Sequence, residues 1–365
     1  MMSEMDESGS RLPRLLIVVS TNQRRGAEVF AEHLRNGLER RGWAVEAVSL
    51  SSVSDRAIAG VEPLTTVAPS TLGALSSSAL AALRRKIRAF TPDVILANGG
   101  STLRYSVLAR RRRGSRLVYV GIGESLYWIR SNRSRQAMRF LLRRTDRVLA
   151  VSQRSLDQMV ELEPSLQDRI YLAHTGVPDV LFDLDPSSPE GPLRIVMVGS
   201  LSAEKNPALA LRAAALIPEA LIRFVGSGPL HQDLLEEAVR LDVSDRVEFV
   251  GSVDDVGPHL EWAHVLVLTS KTEGLPGALL EAGAASLPCV AVDVGGVREI
   301  VVDGETGFVT LPDDLDSLSA ALTAINDDRS RLQQMGVAAR RRIRANFSID
   351  TATDNYAELL RDLVE

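Results

Sequence analysis

The sequence predicts an α/β fold of two domains, each built around a parallel sheet of the Rossmann type. Short continuous apolar runs alternate with amphipathic helices along the chain, as expected for strands covered on both faces. The strand–loop–helix order starts a second time at Leu193, after residues 183–192, whose prolines and serines give them the composition of a linker. A chain of 365 residues is long enough for two hydrophobic cores.

The two halves of the chain carry opposite charge. Residues 1–183 contain 27 Lys+Arg and 18 Asp+Glu, a net charge of +9. Residues 184–365 contain 15 and 29, a net charge of −14, so the chain as a whole carries −5. This asymmetry predicts that the two domains contact different ligands.

The composition argues against a membrane-spanning or secreted protein. No apolar run approaches the ~18 residues that a spanning helix needs, and the polar, acidic start of the chain does not resemble a secretory signal. The single cysteine, Cys289, excludes an intrachain disulfide and lies in a predicted core strand, where a structural role is expected. No His/Cys cluster has metal-ligand spacing, so we expect no metal. These features favour a cytoplasmic protein.

The N-terminal half opens with a Rossmann-like unit. A buried strand is predicted at residues 15–20, followed by a loop with Arg24 and Arg25, a helix that begins at Gly26, and a strand at 45–50. The opening lacks a G-x-G-x-x-G motif, so it does not imply a dinucleotide. Residues 51–77 are predicted to form a loop. Further helices are predicted at 78–90, 102–113, 133–144 and 153–162, and further strands at 93–97, 117–120, 146–151 and 170–173.

The helix at residues 133–144 is strongly basic. Arg135, Arg139 and Arg143 recur at four-residue steps beside Met138 and Phe140. The commoner interpretation is a solvated face over a core face. The alternative is contact with an anionic membrane surface.

The C-terminal half repeats the alternation of strand and helix. Strands are predicted at 193–198, 221–225, 247–250, 265–268, 288–292 and 307–309, and helices at 277–285, 315–325, 329–344 and 350–364. The loop after the first of these strands contains a lysine that we expect to be free, Lys205, and a lysine is a suitable point charge for a phosphate.

Residues 269–294 carry the clearest chemical signal. Glu273 ends a loop and Glu281 lies eight positions later on the following helix. Free N–H groups at a helix start attract phosphate or hydroxyl oxygens, Gly274 permits close backbone approach, and Pro276 suits a first helical turn. Two unpaired carboxylates here would suit the vicinal hydroxyls of a sugar. The plainer interpretation is an ordinary βαβ connection with two solvated glutamates.

The E-x7-E pattern, with GLP after Glu273 and then LLEA, resembles family 4 glycosyltransferases, the retaining GT-B enzymes. The glycine-bearing stretches 295–300 and 304–308 continue the resemblance, as does the G-x-L-x-x-E-K pattern that ends at Lys205. The resemblance covers most of residues 193–347 closely and the N-terminal half loosely. It implies GT-B architecture, with two Rossmann-like domains facing across a cleft and a last helix that crosses back to the first domain.

The resemblance also implies which part of the chain binds each substrate. Residues 1–183 would bind an acceptor, residues 184–347 a nucleotide-sugar, and residues 348–365 would form the returning helix. The implied reaction is metal-independent transfer of a sugar to an acceptor hydroxyl with retention, in synthesis of cell-envelope polysaccharide or glycolipid. The implied catalytic residues are Lys205 and Glu273. The implied donor-binding residues are Gly26, Ser200, Lys205, Gly228, Val253, Glu273, Gly274, Leu275, Pro276 and Glu281, and the acceptor-side residues are Arg24, Arg25 and Glu124.

The chain departs from the family pattern at two places. Ser200 stands where many relatives carry an arginine, and no histidine occurs near residues 121–123, where Glu124 is the nearest polar group. The expected partners are a nucleotide-sugar, a saccharide or lipid-linked acceptor, and an anionic membrane at the inner face, without a cofactor or a nucleic acid. Two alternatives remain open: a GT-B-like sugar-nucleotide epimerase and a non-catalytic sugar-nucleotide-binding protein.

Overall fold

The structure is a computed structural model that describes residues 11–23, 25–52, 57–66, 75–110, 114–123, 127, 129, 131–186 and 190–364. The chain divides into two compact units. The N-terminal unit comprises Met1–Gly176 and Ile349–Glu365, and the C-terminal unit comprises Val177–Ser348. The unit boundary therefore lies seven residues before the predicted domain boundary at residue 183.

The N-terminal unit is built from a seven-stranded sheet with helices between the strands. Its strands are β1 (Arg14–Thr21), β2 (Ala44–Ser51), β3 (Val61–Pro63), β4 (Val94–Asn98), β5 (Arg116–Gly121), β6 (Arg147–Ala150) and β7 (Ile170–Leu172). Its helices are α1 (Gly26–Glu39), α2 (Ser77–Phe90), α3 (Gly100–Ala109), α4 (Asn132–Leu142), α5 (Gln153–Leu162) and, from the end of the chain, α13 (Ile349–Arg361).

The sheet of this unit is parallel, with strand order β3-β2-β1-β4-β5-β6-β7. This confirms the Rossmann-like prediction. The interpretation of residues 51–77 as loop was wrong at β3, which pairs with β2. Three residues are too few to show a period of two, and only Val61 among them is buried, so the sequence gives little signal there. Helix α3 is shorter than predicted because the backbone of Arg110 is extended.

The last helix completes the core of the N-terminal unit. Tyr356 of α13 is fully buried, and its ring meets the ring of Phe30 of α1 edge-on at 5.5 Å between centroids. The Arg41 guanidinium binds the Asp354 carboxylate at 2.6 Å. These contacts explain why the final helix belongs to the first unit although it follows the second in sequence.

The C-terminal unit contains a six-stranded parallel sheet. Its strands are β8 (Arg194–Val198), β9 (Leu221–Val225), β10 (Val247–Gly251), β11 (Val265–Leu268), β12 (Cys289–Val292) and β13 (Gly307–Thr310), in the order β10-β9-β8-β11-β12-β13. Its helices are α6 (Pro207–Ala215), α7 (His231–Arg240), α8 (Gly257–Trp262), α9 (Gly277–Ala284), α10 (Val297–Ile300), α11 (Leu315–Asp327) and α12 (Ser330–Asn346). Two Rossmann-like parallel sheets are thus present, as predicted.

Helix α12 supports the two short helices α9 and α10. The Arg340 side chain donates to the carbonyl oxygen of Ala284 at 3.0 Å. The Arg342 side chain donates to the carbonyl oxygens of Glu299 at 2.6 Å and Ile300 at 3.0 Å. The last carbonyl groups of a helix lack partners within the helix, so these arginines satisfy and stabilise both helix ends.

No helix in the described part of the chain is both long and apolar enough to cross a membrane.

Candidate functional site

The strand order places one crevice in the sheet of the C-terminal unit. The chain runs from β8 outward through β9 and β10, then returns to the other side of β8 and continues through β11, β12 and β13. The order therefore reverses between β8 and β11. In open α/β sheets, ligands bind outside the carboxyl ends of the strands at such a point. The two loops that leave these ends are residues 199–206, here called the lysine loop, and residues 269–276, here called the carboxylate loop.

The lysine loop is held against the neighbouring loop after β9. The Gly199 amide donates to the Val225 carbonyl at 2.9 Å, and the Leu201 amide donates to the Ser227 carbonyl at 3.1 Å. At the end of the loop Asn206 adopts a left-handed conformation (φ 49°, ψ 51°), which asparagine tolerates better than most residues. Helix α6 then begins with Pro207, whose ring suits a first helical position.

The turn after β9 contains glycine because backbone approaches backbone there. A Cβ atom added at Gly226 would collide with the carbonyl oxygen of Gly199, and one added at Gly228 would collide with the backbone of Leu201. Gly228 was predicted to lie beside the donor, and the structure places it against the lysine loop. Its glycine identity therefore has a packing reason of its own.

The carboxylate loop is joined to the lysine loop by hydrogen bonds. The buried hydroxyl of Thr269 lies 3.1 Å from the carbonyl oxygen of Lys205 and 2.9 Å from that of Asn206. The Lys271 amide donates to the Glu204 carbonyl at 2.8 Å. Three consecutive carbonyl groups of one loop therefore face donors from the other, across the crevice between β8 and β11.

Lys205 and Glu273 form an ion pair between these loops. The Nζ–Oε1 distance is 2.6 Å, and the Ser270 hydroxyl donates to the same Oε1 atom at 2.5 Å. The Glu273 side chain is 9% exposed and that of Lys205 is 25% exposed. The predictions of an unpaired Glu273 carboxylate and a free lysine were therefore wrong. A carboxylate this buried needs a charged or hydrogen-bonding partner, and a partner 68 positions away gives no local sequence signal.

A third charged group, Glu204, belongs to the same cluster. Its side chain is half-buried. Burial raises the pKa of its carboxyl above the ordinary value, Lys205 opposes that shift, and the neighbouring Glu273 carboxylate adds to it. Glu204 was not among the predicted site residues, although it precedes the lysine in the G-x-L-x-x-E-K pattern.

Helix α9 starts where the carboxylate loop ends. Pro276 was predicted to lie in the first turn, but it is the N-cap residue, one position before the first helical residue, Gly277. Gly274, Leu275 and Pro276 are all buried. Glu281 lies on the middle of this eight-residue helix and is half-buried. The structure thus places both glutamates on one βα connection, with Glu273 before the helix and Glu281 within it.

A second glycine packs against the carboxylate loop from the side of β12. Gly295 has a positive φ of 53°, and a Cβ atom there would collide with the carbonyl oxygen of Glu273. The next amide, that of Gly296, donates to the Gly274 carbonyl at 2.8 Å. The position of the carboxylate loop is therefore fixed on both sides, by the lysine loop and by the turn after β12.

The remaining predicted donor residues lie at the rim of this edge. Ser200 is exposed, and its hydroxyl lies 3.1 Å from that of Ser202. Val253 is half-buried, two positions after β10, and the preceding Ser252 hydroxyl lies 2.7 Å from that of Ser227. Both residues therefore belong to loops at the carboxyl edge of the sheet.

The N-terminal unit has its own crevice, between β1 and β4. Gly26 is the first residue of α1, and Arg25 is its exposed N-cap residue. The buried Asn98 side chain at the end of β4 donates to the Ala27 carbonyl at 3.0 Å, which ties the first turn of α1 to the end of β4. The predicted residues Arg24 and Glu124 lie outside the described residues.

The first turn of α1 contains a buried carboxyl group that was not predicted from the sequence. Glu28 is 7% exposed. Burial raises the pKa of its carboxyl to about 7, against the opposing effects of its own backbone N–H and of Arg25. A glutamate in a first helical turn is common because it complements the helix dipole, so the sequence gave little reason to place it on the buried face.

Cys289 lies in the core of the C-terminal unit, in strand β12. Cys289 is 2% exposed, and burial raises the pKa of its thiol to about 12, as expected for a structural thiol. Within the described residues, His, Cys, Asp and Glu form no group of three or more that could hold a metal ion.

Two family models match the chain, one on each half. Residues 24–180 match the model described as Glycosyltransferase Family 4, and residues 184–342 match the model described as Glycosyl transferases group 1. Together the two matches include most of both sheets.

Curated relatives match part of the chain at moderate identity. Glycogen synthase of Mycobacterium tuberculosis is 29% identical over 243 residues, which cover 64% of this chain and 58% of the relative. The Escherichia coli UDP-Gal:alpha-D-GlcNAc-diphosphoundecaprenol alpha-1,3-galactosyltransferase is 33% identical over 175 residues, which cover 46% of this chain and 45% of the relative. The matched stretch spans about half the length of these relatives.

Solved structures match nearly the whole chain in fold. Sucrose-phosphate synthase of Thermosynechococcus elongatus superposes with a TM-score of 0.85 at 18% identity, covering 96% of this chain and 99% of that one. HepE of Anabaena, solved in complex with UDP and glucose, superposes with a TM-score of 0.81 at 21% identity, covering 95% and 99%. With both halves matched by family models and the whole fold matched by these structures, the chain belongs to glycosyltransferase family 4 and has the GT-B fold.

Proposed function

We propose that this protein is a retaining, metal-independent glycosyltransferase that moves a sugar from a nucleotide-sugar to an acceptor hydroxyl. The observation that carries the proposal is the Lys205–Glu273 pair at the crevice between β8 and β11, held by two loops that hydrogen-bond to each other. A cation for phosphate and a carboxylate for sugar hydroxyls lie together at the edge where this fold class binds ligands.

The proposed donor pose follows from the charges of the pair. A donor diphosphate carries negative charge and binds the Lys205 ammonium, while sugar hydroxyls donate to the Glu273 carboxylate. When the donor binds, the ion pair between Lys205 and Glu273 is therefore replaced by two new contacts, Lys205 with the diphosphate and Glu273 with the sugar. The N–H groups at the start of α9 add to phosphate binding, and Glu281 accepts hydrogen bonds from the ribose hydroxyls.

In the proposed reaction, the bond between the sugar C1 and the diphosphate oxygen breaks as the acceptor oxygen attacks from the same face. The acceptor hydroxyl gives its proton to the departing phosphate, and the new C1–O bond keeps the configuration of the donor. Lys205 stabilises the negative charge that grows on the diphosphate, the type of interaction that lowers a barrier most effectively. The cationic side chain takes the part that a divalent ion has in other sugar transferases.

The acceptor is proposed to be a saccharide or a lipid-linked saccharide bound by the basic N-terminal half. The E. coli relative is named for an acceptor of the second kind, a diphosphoundecaprenol-linked GlcNAc. A lipid-linked acceptor would bring the protein to an anionic membrane, and α4 offers a surface for that contact.

Only some of the side chains on and next to α4 are available for contact with lipid. Glu163, whose side chain is 2% exposed, binds Arg139 at 3.1 Å and Arg143 at 2.9 Å, so these two arginines serve the fold. Phe140 is 55% exposed, and the Arg144 guanidinium lies over its ring at 3.6 Å. We propose that Phe140 and Arg144 form the membrane contact. Wild-type protein should sediment with anionic vesicles at physiological salt, and Phe140→Ala protein should sediment much less. Wild-type protein that stays in solution contradicts the proposed membrane contact.

The experiment that tests the central proposal is a thermal-shift screen against UDP-, GDP-, ADP- and dTDP-sugars in the presence of EDTA. A donor at 100 times its Kd should stabilise the folded protein by about 2.7 kcal/mol. The shift should disappear in Lys205→Ala protein. It should persist in Lys271→Ala protein, which changes an exposed lysine three positions past the end of β11 and leaves the Lys205–Glu273 pair intact. Product analysis by NMR should then show the donor's anomeric configuration in the new bond. An inverted product, or a shift that EDTA abolishes, contradicts retention or metal independence respectively.

A further inference from the structure

Thr269 occupies an unusual position in the site. It is the first residue after β11 and is 1% exposed, so its side chain is too buried to bind a ligand directly. Its hydroxyl instead lies within hydrogen-bond distance of two main-chain carbonyl groups of the lysine loop, those of Lys205 and Asn206. A hydroxyl has one hydrogen, so the two oxygens share it or alternate.

The two carbonyl groups differ in what else they accept. The Asn206 carbonyl also accepts the Leu209 amide at 3.1 Å, within the first turn of α6. For the Lys205 carbonyl, Thr269 is the donor that the described residues show. Loss of the hydroxyl therefore affects the backbone of Lys205 more than that of Asn206.

The backbone of Lys205 sets where its side chain reaches. The main chain is held at the residue before it, because the Glu204 carbonyl accepts the Lys271 amide at 2.8 Å. It is also constrained at the residue after it, because Asn206 adopts the left-handed conformation. From this position the ammonium group reaches Glu273 at 2.6 Å. A shift of the backbone by a fraction of an ångström is enough to misplace a charge that must meet a phosphate.

We propose that Thr269 is a positioning residue that sets the reach of Lys205 toward the phosphate of the donor. The inference rests on the proposed function, because it assumes that Lys205 binds the donor diphosphate. Thr269 acts through its hydroxyl and touches neither donor nor acceptor. The same hydrogen bonds join the two loops and so fix the position of Lys205 relative to Glu273. A nucleotide-sugar that binds Lys205 can therefore contact Glu273 as well.

The test compares nucleotides that differ by one phosphate. For the base that gives the thermal shift, calorimetry measures binding of the diphosphate and of the monophosphate (UDP and UMP, GDP and GMP, ADP and AMP, or dTDP and dTMP). Thr269→Val keeps the shape of the side chain and removes the hydroxyl group that donates the hydrogen bond. The expected result is about a tenfold loss of diphosphate affinity, the scale of one hydrogen bond, with a change of less than twofold for the monophosphate. Thr269→Ser keeps the hydroxyl and should bind both as the wild type does.

A double-mutant cycle separates positioning from general damage. In a Lys205→Met background, Thr269→Val should change diphosphate affinity by less than twofold, because the group that Thr269 positions is gone. Equal weakening of both nucleotides, or an undiminished effect of Thr269→Val in the Lys205→Met background, overturns the inference and leaves the proposed function standing. Wild-type protein that binds none of the nucleotides overturns the proposed function and the inference with it.

Discussion

Replacement of Glu28 by glutamine should stabilise the protein at neutral and alkaline pH. The carboxyl is 7% exposed on α1, and burial raises its pKa to about 7 from an ordinary value of 4.5. A raised carboxyl pKa means that the folded state binds a proton more tightly than the unfolded state. The contribution of this carboxyl to stability is therefore fully present below about pH 4.5 and is lost as the pH rises toward 7, where the folded state must ionise a buried group.

The size of the effect follows from the two pKa values. Each pKa unit corresponds to 1.36 kcal/mol, so the difference of about 2.5 units gives a loss of about 3 kcal/mol between acidic pH and pH 8. The Glu28→Gln side chain remains neutral throughout, so the variant should lack this loss. The expected gain over wild type is about 2–3 kcal/mol at pH 8 and well under 1 kcal/mol at pH 4.5.

The assay is urea denaturation of wild type and variant at pH 4.5, 6 and 8, with Glu39→Gln as the matched control. Glu39 is the last residue of the same helix and is exposed, so its loss should change stability by no more than about 0.5 kcal/mol at any pH. Parallel pH profiles for wild type and Glu28→Gln would refute the reasoning, because a buried group that titrates near pH 7 cannot be removed without changing the slope.

Three further changes test the site and its supports. Lys205→Ala should lower kcat by a factor on the order of 10²–10³, whereas Lys271→Ala, an exposed lysine nearby, should stay within about twofold; equal effects would exclude the assigned role. Gly295→Ala should lower the Tm more than Gly304→Ala, because both have positive φ but only the first would collide with neighbouring backbone; equal losses would show that the collision is relieved. Glu163→Gln should lower the urea midpoint at pH 7 but not at pH 2. Burial alone would raise the pKa of the Glu163 carboxyl, but the Ser165 hydroxyl and two arginines outweigh burial and lower the pKa to about 2. A difference in midpoint between wild type and variant that is the same at pH 2 as at pH 7 would contradict this.

The fold was predictable because its signals are local. The buried strands are short apolar runs, and the lysine loop and the carboxylate loop each combine glycine with charged and hydroxyl residues. The lysine loop and the carboxylate loop were therefore located from sequence. β3 was missed because three residues at a sheet edge, one of them proline, carry no periodic pattern.

What the sequence could not provide was pairing across long separations. Lys205 and Glu273 were each predicted to be functional, yet their ion pair joins residues 68 positions apart and depends on the adjacency of β8 and β11. Glu28 was missed for a related reason. Its burial depends on how α1 packs, and a lone glutamate in a first turn is indistinguishable in sequence from an exposed one.

The returning helix α13 has a consequence for how the chain is made and how it can be divided. The N-terminal unit is assembled from two separate stretches, whereas the C-terminal unit is one continuous insertion within it. Because Tyr356 contributes to the first core, that core cannot be completed during synthesis until the whole C-terminal unit and most of α13 have been made. The insertion begins and ends at one place, since the Val177 amide donates to the Phe347 carbonyl at 2.9 Å. The C-terminal unit can therefore be excised as a cassette, and a short bridge from Gly176 to Ile349 would leave the first unit with all its own elements.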